Sequence, residues 1–193
     1  MQPVVIRTAR LRLDLPLPGD ADAVTAYCQD PIFERWLTTP WPYTREHADA
    51  FLGTYVPAGW ATASELTWAI RAVEGGPLLG VVSVRETQRE IGFWMGAEHR
   101  GAGRMSEAAA AVSEWVLGGG IPESATVFWR AVEGNIGSAK VARAAGFRRI
   151  EPEHATVPTR DGEGTLPAWY AVREREADPR AEASWDGILG ARS

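Results

Sequence analysis

Between an apolar run, Ile91-Gly-Phe-Trp-Met95, and an alanine-rich run, Glu107 to Leu117, lie the residues Glu98-His-Arg-Gly-Ala-Gly-Arg-Met-Ser106. This join constrains the chain more than any other stretch. The first run has the length and composition of a strand, the second those of a helix. Glycines at 101 and 103 allow the backbone to turn sharply and to approach a ligand closely. The helix that follows directs its free N–H groups and positive dipole end into the turn. Arg100 and Arg104 add full charges, so the unit reads as an anion site suited to phosphates.

Spacing removes two phosphate-binding classes. A P-loop needs Gly, four residues, then Gly-Lys-Ser/Thr, and neither the lysine nor the spacing is present. A dinucleotide fingerprint needs a third glycine where Ser106 stands, and it opens the first strand–helix unit, whereas this loop lies past mid-chain. What the turn resembles is the pyrophosphate-binding loop of the GNAT superfamily of acyl-CoA N-acyltransferases, Arg/Gln-x-x-Gly-x-Gly/Ala, with Arg100, Gly103 and Met105 in the defining places. Methionine at 105 departs from the small residue usual there and is similar to the RimJ/RimL branch, the ribosomal-protein N-acetyltransferases. A second element, Asn135-Ile-Gly-Ser138-Ala-Lys-Val141 followed by Gly146-Phe147, resembles that family's Asn-x-x-Ser helix and its Gly-Phe exit. The resemblance runs from about Thr8 to Val172.

Composition bounds the rest. The chain of 193 residues suits one domain, and its 45% apolar content, with nine tryptophans, supplies a core. A net charge of −5 argues against a nucleic-acid partner. The single Cys28 excludes a disulfide framework and points to a reducing, cytoplasmic compartment; it reads as a buried structural thiol. No apolar run approaches the ~20 residues of a membrane span. His47, His99 and His154 lack metal-ligand spacing, so no metal is expected.

Pattern reading places a strand over Thr8–Leu15, a helix from an Asp20 cap to about Gln29 and broken by Asp30-Pro31, an aromatic loop from Trp36 to Tyr43, and a helix from Thr44 to about Val56. Strands follow over Leu66–Ile70, Leu78–Val84 and Glu90–Met95. Beyond the turn come the long helix, a strand over Ala125–Ala131, a helix over Asn135–Ala145, and a last pair at Phe147–Ile150 and Ala168–Val172. Residues 1–173 form the expected domain, and 174–193 a tail or extra helix.

The resemblance implies an α/β fold of the α+β kind: a single GNAT domain with a mixed, mostly antiparallel sheet of about seven strands, splayed in a V at the acyl-CoA site. It implies an N-acetyltransferase that uses acetyl-CoA and a primary amine, on a protein N-terminus or a small metabolite, by direct attack in a ternary complex. The pyrophosphate would lie on Arg100, Gly101, Ala102, Gly103, Arg104 and Met105. Trp94 and Met95 would pair with pantetheine through their backbones, the Met95 N–H would meet the oxyanion, and Asn135 and Ser138 would contact CoA. Glu90 is the expected base, with Glu65 next. Ser138 is the expected partner of the leaving thiolate, because the place where many relatives carry a tyrosine is Ala142. Trp36, Trp41 and Tyr43 are expected around the acceptor, with Trp60 able to enclose a small one. The alternative is a catalytically idle acyl-CoA-binding or scaffold domain. A homodimer is left open.

Overall fold

A computed structural model of the protein describes residues 1–176, 178 and 180–190. Its strands are β1 Ile6–Arg7, β2 Leu11–Asp14, β3 Glu65–Ala72, β4 Gly75–Arg85, β5 Glu90–Met95, β6 Thr126–Val132, β7 Arg148–Ile150, β8 Thr156–Pro158 and β9 Thr165–Glu174. They form one sheet in the order β1-β2-β3-β4-β5-β6-β9-β7, with β8 paired to β9. Only β5 and β6 run parallel. The sheet is mixed and mostly antiparallel, as expected, but holds nine strands where about seven were read. The additions, β1 and β8, have two and three residues, too few to show a period of two. The expected strand at Thr8–Leu15 begins only at Leu11, because the Thr8 hydroxyl accepts the Leu11 N–H at 2.9 Å and makes a turn between β1 and β2.

Alternation along β3 and β4 divides the apolar residues between two cores. Leu66, Trp68, Ile70, Val82 and Val84 face the larger one, under the long helix; Ala69 and Val81 face the smaller, under the N-terminal helices. Arg71 is buried on the second face and binds Asp14 at 2.9 Å and Asp20 at 2.7 Å. Asp20 therefore does not cap the helix Ala21–Cys28 through its side chain: it takes Arg71 and the Leu17 N–H at 2.8 Å instead. A charge-assisted pair with a buried guanidinium outweighs a cap.

The helices are α1 Ala21–Cys28, α2 Pro31–Trp36, α3 Arg45–Ala50, α4 Val56–Thr62, α5 Arg104–Trp115, α6 Ile136–Ala144 and α7 Asp186–Leu189. Asp30-Pro31 ends α1 as expected and also starts α2. The Asp30 carboxylate accepts the Ile32 N–H at 3.0 Å, and Pro31 occupies a first-turn position that needs no donor. The helix read as ending near Val56 continues through Phe51–Tyr55, a widened π-type turn, into α4, and this turn accommodates the N–H that Pro57 lacks.

The segment expected as a tail or extra helix contributes to the core. Trp185 is fully buried, donates its indole N–H to the Phe147 carbonyl at 2.7 Å, and packs edge-on against Trp129 at 5.6 Å. The Ser184 hydroxyl accepts the Arg149 N–H at 2.8 Å, and Glu182 pairs with Arg143. Trp185→Ala should therefore cost about 3–5 kcal/mol of unfolding free energy in urea denaturation. A loss below ~1 kcal/mol would mean that the segment is a loosely attached tail.

Candidate active site

The parallel pair β5–β6 is hydrogen-bonded only at its start. Glu90 lies opposite Phe128 and Ile91 opposite Trp129, and no later residue of β5 is in register with β6. The strands then diverge, β5 to Met95 and β6 to Val132. Phe128 N–H bonds to the Arg89 carbonyl at 2.8 Å, and Gly96 N–H to the Leu79 carbonyl at 3.0 Å. Main-chain groups alternate sides along a strand, so those of Phe93 and Met95 turn into the opening while those of Trp94 turn toward β4. Arg100 Nε donates to the Met95 carbonyl at 2.9 Å. Among the described residues the Phe93 N–H and C=O and the Met95 N–H have no main-chain partner, so β5 presents a short free edge to the opening.

A cavity of about 450 Å³ occupies the opening. At the Met95 end lies the glycine turn, with Gly101 at φ 81° and Gly103 at φ 73°, conformations that favour glycine. Among the described residues the N–H groups of 101 to 106 find no acceptor; the first to do so is Glu107, which bonds the Gly103 carbonyl at 3.1 Å. Donors left open at a helix N-terminus make a cradle for an anion. Arg104 and Lys140 line the cavity beside it, and neither has an ion-pair partner among the described residues. Arg10 braces the turn from outside, donating to the Ala102 carbonyl at 3.1 Å and to Glu107 at 2.6 Å. Burial works to raise the Glu107 carboxyl, but hydrogen bonds from Thr8 and Arg10 prevail and hold it below the ordinary glutamate range.

At the other end stands the first turn of α6. Asn135 caps it, its side-chain oxygen accepting the Ser138 N–H at 3.1 Å. Ser138 Oγ accepts the Trp129 indole N–H at 3.1 Å. Both Asn135 and Ser138 line the cavity.

Residues 10–148 match the family described as the acetyltransferase (GNAT) domain. The chain belongs to the GNAT acetyltransferase family. The donor of this family is acetyl-CoA, and the open strand edge and the N–H cradle suit its amides and its pyrophosphate. Solved structures share the fold. A GNAT-family acetyltransferase from Bacillus anthracis is 18% identical with a TM-score of 0.74, the match covering 89% of this chain and 99% of that one. Microcin C7 self-immunity acetyltransferase MccE, in complex with acetyl-CoA and AMP, is 16% identical with a TM-score of 0.71, covering 86% and 93%. The ribosomal L7/L12 alpha-N-protein acetyltransferase RimL, in complex with coenzyme A, is 18% identical with a TM-score of 0.69, covering 91% and 100%. No curated protein matches the chain in sequence. No helix among the described residues is long and apolar enough to cross a membrane.

In this GNAT domain several expected residues make contacts within the protein that the sequence did not show. Arg100 also lines the cavity, but its guanidinium donates to the Met95 carbonyl at 2.9 Å and to Asp30 at 2.8 Å, so it pins the turn. Ala102 gives its carbonyl to Arg10. Met105 is 7% exposed and fills the core below the turn, which explains the tolerance for a large side chain. Trp94 stacks edge-on against Phe33 at 5.7 Å, and the strand register replaces its backbone by that of Phe93. Of the three acceptor aromatics only Trp36 lines the cavity. Tyr43 is buried in the smaller core with Trp41 packed against it, because the Pro-rich loop folds back onto that core. Trp60 is buried too, against Trp68 at 5.0 Å. Burial pushes the Cys28 thiol up to about 12, consistent with a structural role.

Glu90 lies at the apex of the splay and outside the cavity wall. Its two oxygens accept from Arg85 at 2.8 Å and Arg130 at 2.5 Å. Glu65 accepts from Ser83 at 2.7 Å and Tyr55 at 2.6 Å, and burial together with this carboxylate pushes the Tyr55 phenol up to about 12. Phe93 and Lys140 went unnoticed in the sequence: one depends on register, and the other is an ordinary helix lysine until α6 faces the cavity. Arg104→Ala should weaken coenzyme A binding about tenfold in calorimetry at low salt, with the difference shrinking as salt rises. Arg100→Ala should lower the melting temperature without that salt dependence. A salt-sensitive loss in Arg100→Ala alone would reverse the two assignments.

Proposed function

We propose that the protein transfers the acetyl group of acetyl-CoA to the primary amine of a small molecule with an apolar body, by direct attack in a ternary complex. The observation that carries this reading is the cavity wall itself, which links the open N–H cradle, the free edge of β5 and Ser138, and contains no carboxylate. Pyrophosphate on the 101–106 turn sets the direction of the donor: pantetheine runs from Met95 toward the apex, and the thioester reaches Phe93. The Phe93 N–H then donates to the carbonyl oxygen as negative charge develops there.

The acceptor approaches from α2. Ile32, Phe33, Trp36 and Leu37 give that wall an apolar surface. The Trp36 ring reaches across to the β6–α6 turn, lying 3.6 Å from where a Cβ on Gly134 would stand. Arg160 fixes α2 in place by donating to the carbonyls of Phe33 at 3.2 Å, Glu34 at 2.5 Å, Leu37 at 2.9 Å and Thr39 at 2.8 Å. A wall pinned in this way favours an enclosed small amine over a long peptide. An apolar wall also favours the neutral amine over its ammonium form.

The reaction balances without an enzyme carboxylate. The neutral amine attacks the thioester carbon, C–N forms, and the intermediate carries N–H⁺ and O⁻. C–S then breaks, and the surplus amine proton ends on sulfur. Ser138 donates a hydrogen bond to the sulfur as it becomes thiolate. Glu90, paired with two arginines, closes the apex and does not accept the proton.

A thiol-release screen of acetyl-CoA against small amines and N-terminal peptides tests the acceptor class; turnover of peptides alone would sink the small-amine reading, and binding without thiol release would point to an idle acyl-CoA-binding domain. With a good acceptor, kcat/KM should climb about tenfold per pH unit toward the amine's own pKa near ~10. Glu90→Gln should cost less than about tenfold in kcat and leave that profile unchanged, whereas a loss of ~100-fold or more with a lost acidic limb would make Glu90 the base.

A further inference from the structure

Ser138, in the first turn of α6, does not spend its proton on a backbone carbonyl as three other helical hydroxyls do. Thr25, Thr62 and Ser113 donate to the carbonyl four residues earlier at 2.7, 2.9 and 2.8 Å, the usual way a helix absorbs a hydroxyl. Ser138 makes no such bond among the described residues. Its oxygen accepts from the Trp129 indole at 3.1 Å, and an indole N–H can only donate. Trp129 thus occupies an acceptor site of the serine and leaves the hydroxyl proton to point elsewhere, on a side chain that lines the cavity.

Trp129 is itself held firmly. It is 1% exposed, sits opposite Ile91 at the apex, and meets Trp185 edge-on at 5.6 Å with an interplanar angle of 63°. Trp185 is anchored in turn by its indole bond to the Phe147 carbonyl. The indole N–H can therefore swing little, and the serine oxygen has a fixed partner.

We infer that Trp129 is a positioning residue for the acetyl transfer: its indole N–H orients the Ser138 hydroxyl so that the proton is presented to the departing sulfur, with Trp185 from the C-terminal segment holding the indole ring. The inference rests on the role given to Ser138 above. Without the indole, the hydroxyl is free to turn onto a carbonyl of its own helix, and the thiolate loses its donor. No bond to substrate is assigned to Trp129.

The test is a double-mutant cycle of Trp129→Phe and Ser138→Ala in the full chain, read as steady-state kcat and as KM for acetyl-CoA. Trp129→Phe keeps the ring and removes the N–H. It should lower kcat about tenfold with KM unchanged, as expected for loss of a hydrogen bond to a developing charge. Adding it to Ser138→Ala should cause no further loss. If the two losses multiply, or if Trp129→Phe retains full kcat, the inference is overturned. A Ser138→Ala enzyme at full kcat is a separate result, which removes the serine's role in the proposed reaction. A second readout does not require the tryptophan variant to fold: in isotope-labelled protein, Ser138→Ala should shift one tryptophan indole N–H resonance and speed its hydrogen exchange, and an unchanged indole spectrum also overturns the inference.

Discussion

The structure depends on where main-chain pairing stops between the two parallel strands. β5 and β6 share register at Glu90–Phe128 and Ile91–Trp129 and nowhere beyond. An exposed sheet edge is normally a liability, since unpaired N–H and C=O groups invite another chain. Here the edge lies inside a cavity, where an extended ligand carrying amides can complete it. At the apex, side chains reinforce what the backbone supplies so briefly. Glu90 binds Arg85 within the sheet and Arg130 across to β6, and the Trp129 ring, joined to Ser138, closes the other face. The opening has a fixed start on both faces.

The anion cradle follows a division of labour among arginines. A glycine turn suited to an anion gains affinity by holding its shape beforehand, since ordering it on binding would cost free energy. Arg100 and Arg10 tie the turn by main-chain carbonyls, at Met95 and Ala102. Arg104 and Lys140 line the cavity with no ion-pair partner among the described residues. Sequence spacing gave Arg100 and Arg104 similar standing, and only their bonding distinguishes the brace from the cation without an ion-pair partner among the described residues.

The glycine turn and the Asn-x-x-Ser helix were both legible because each is local. A sharp glycine turn and a helix start are set by residues within a few positions of one another, and the structure has Gly101 and Gly103 at positive φ and a helix beginning at Ile136, where the pattern put them, while the Asn135 cap is the structure's addition. The α2 wall of the cavity was not legible in the same way. Trp36, Trp41 and Tyr43 are equivalent as aromatics in a proline-rich loop, yet one lines the cavity and the others pack beneath it, because α2 begins at Pro31 and carries Trp36 to the splay. The nine-stranded count was also hidden, since β1 and β8 owe their existence to neighbours rather than to their own patterns.

The likeness to the family's loop is what points to acetyl-CoA; by itself the sequence determined a strand, a glycine turn and a helix, with a spacing that excludes two other phosphate loops. These features follow from short-range backbone geometry, which a few residues dictate wherever the chain folds. The tertiary structure decided which backbone atoms face the splay, which cations lack an ion-pair partner among the described residues, which aromatic lines the cavity, and that Trp185, after the last strand, packs behind the Trp129–Ser138 pair. Those outcomes rest on register and on contacts between residues far apart in the chain, such as Arg160 with α2 and Trp185 with Trp129. No local pattern encodes them, because burial and hydrogen bonding at long range select among arrangements that nearby residues leave equally open.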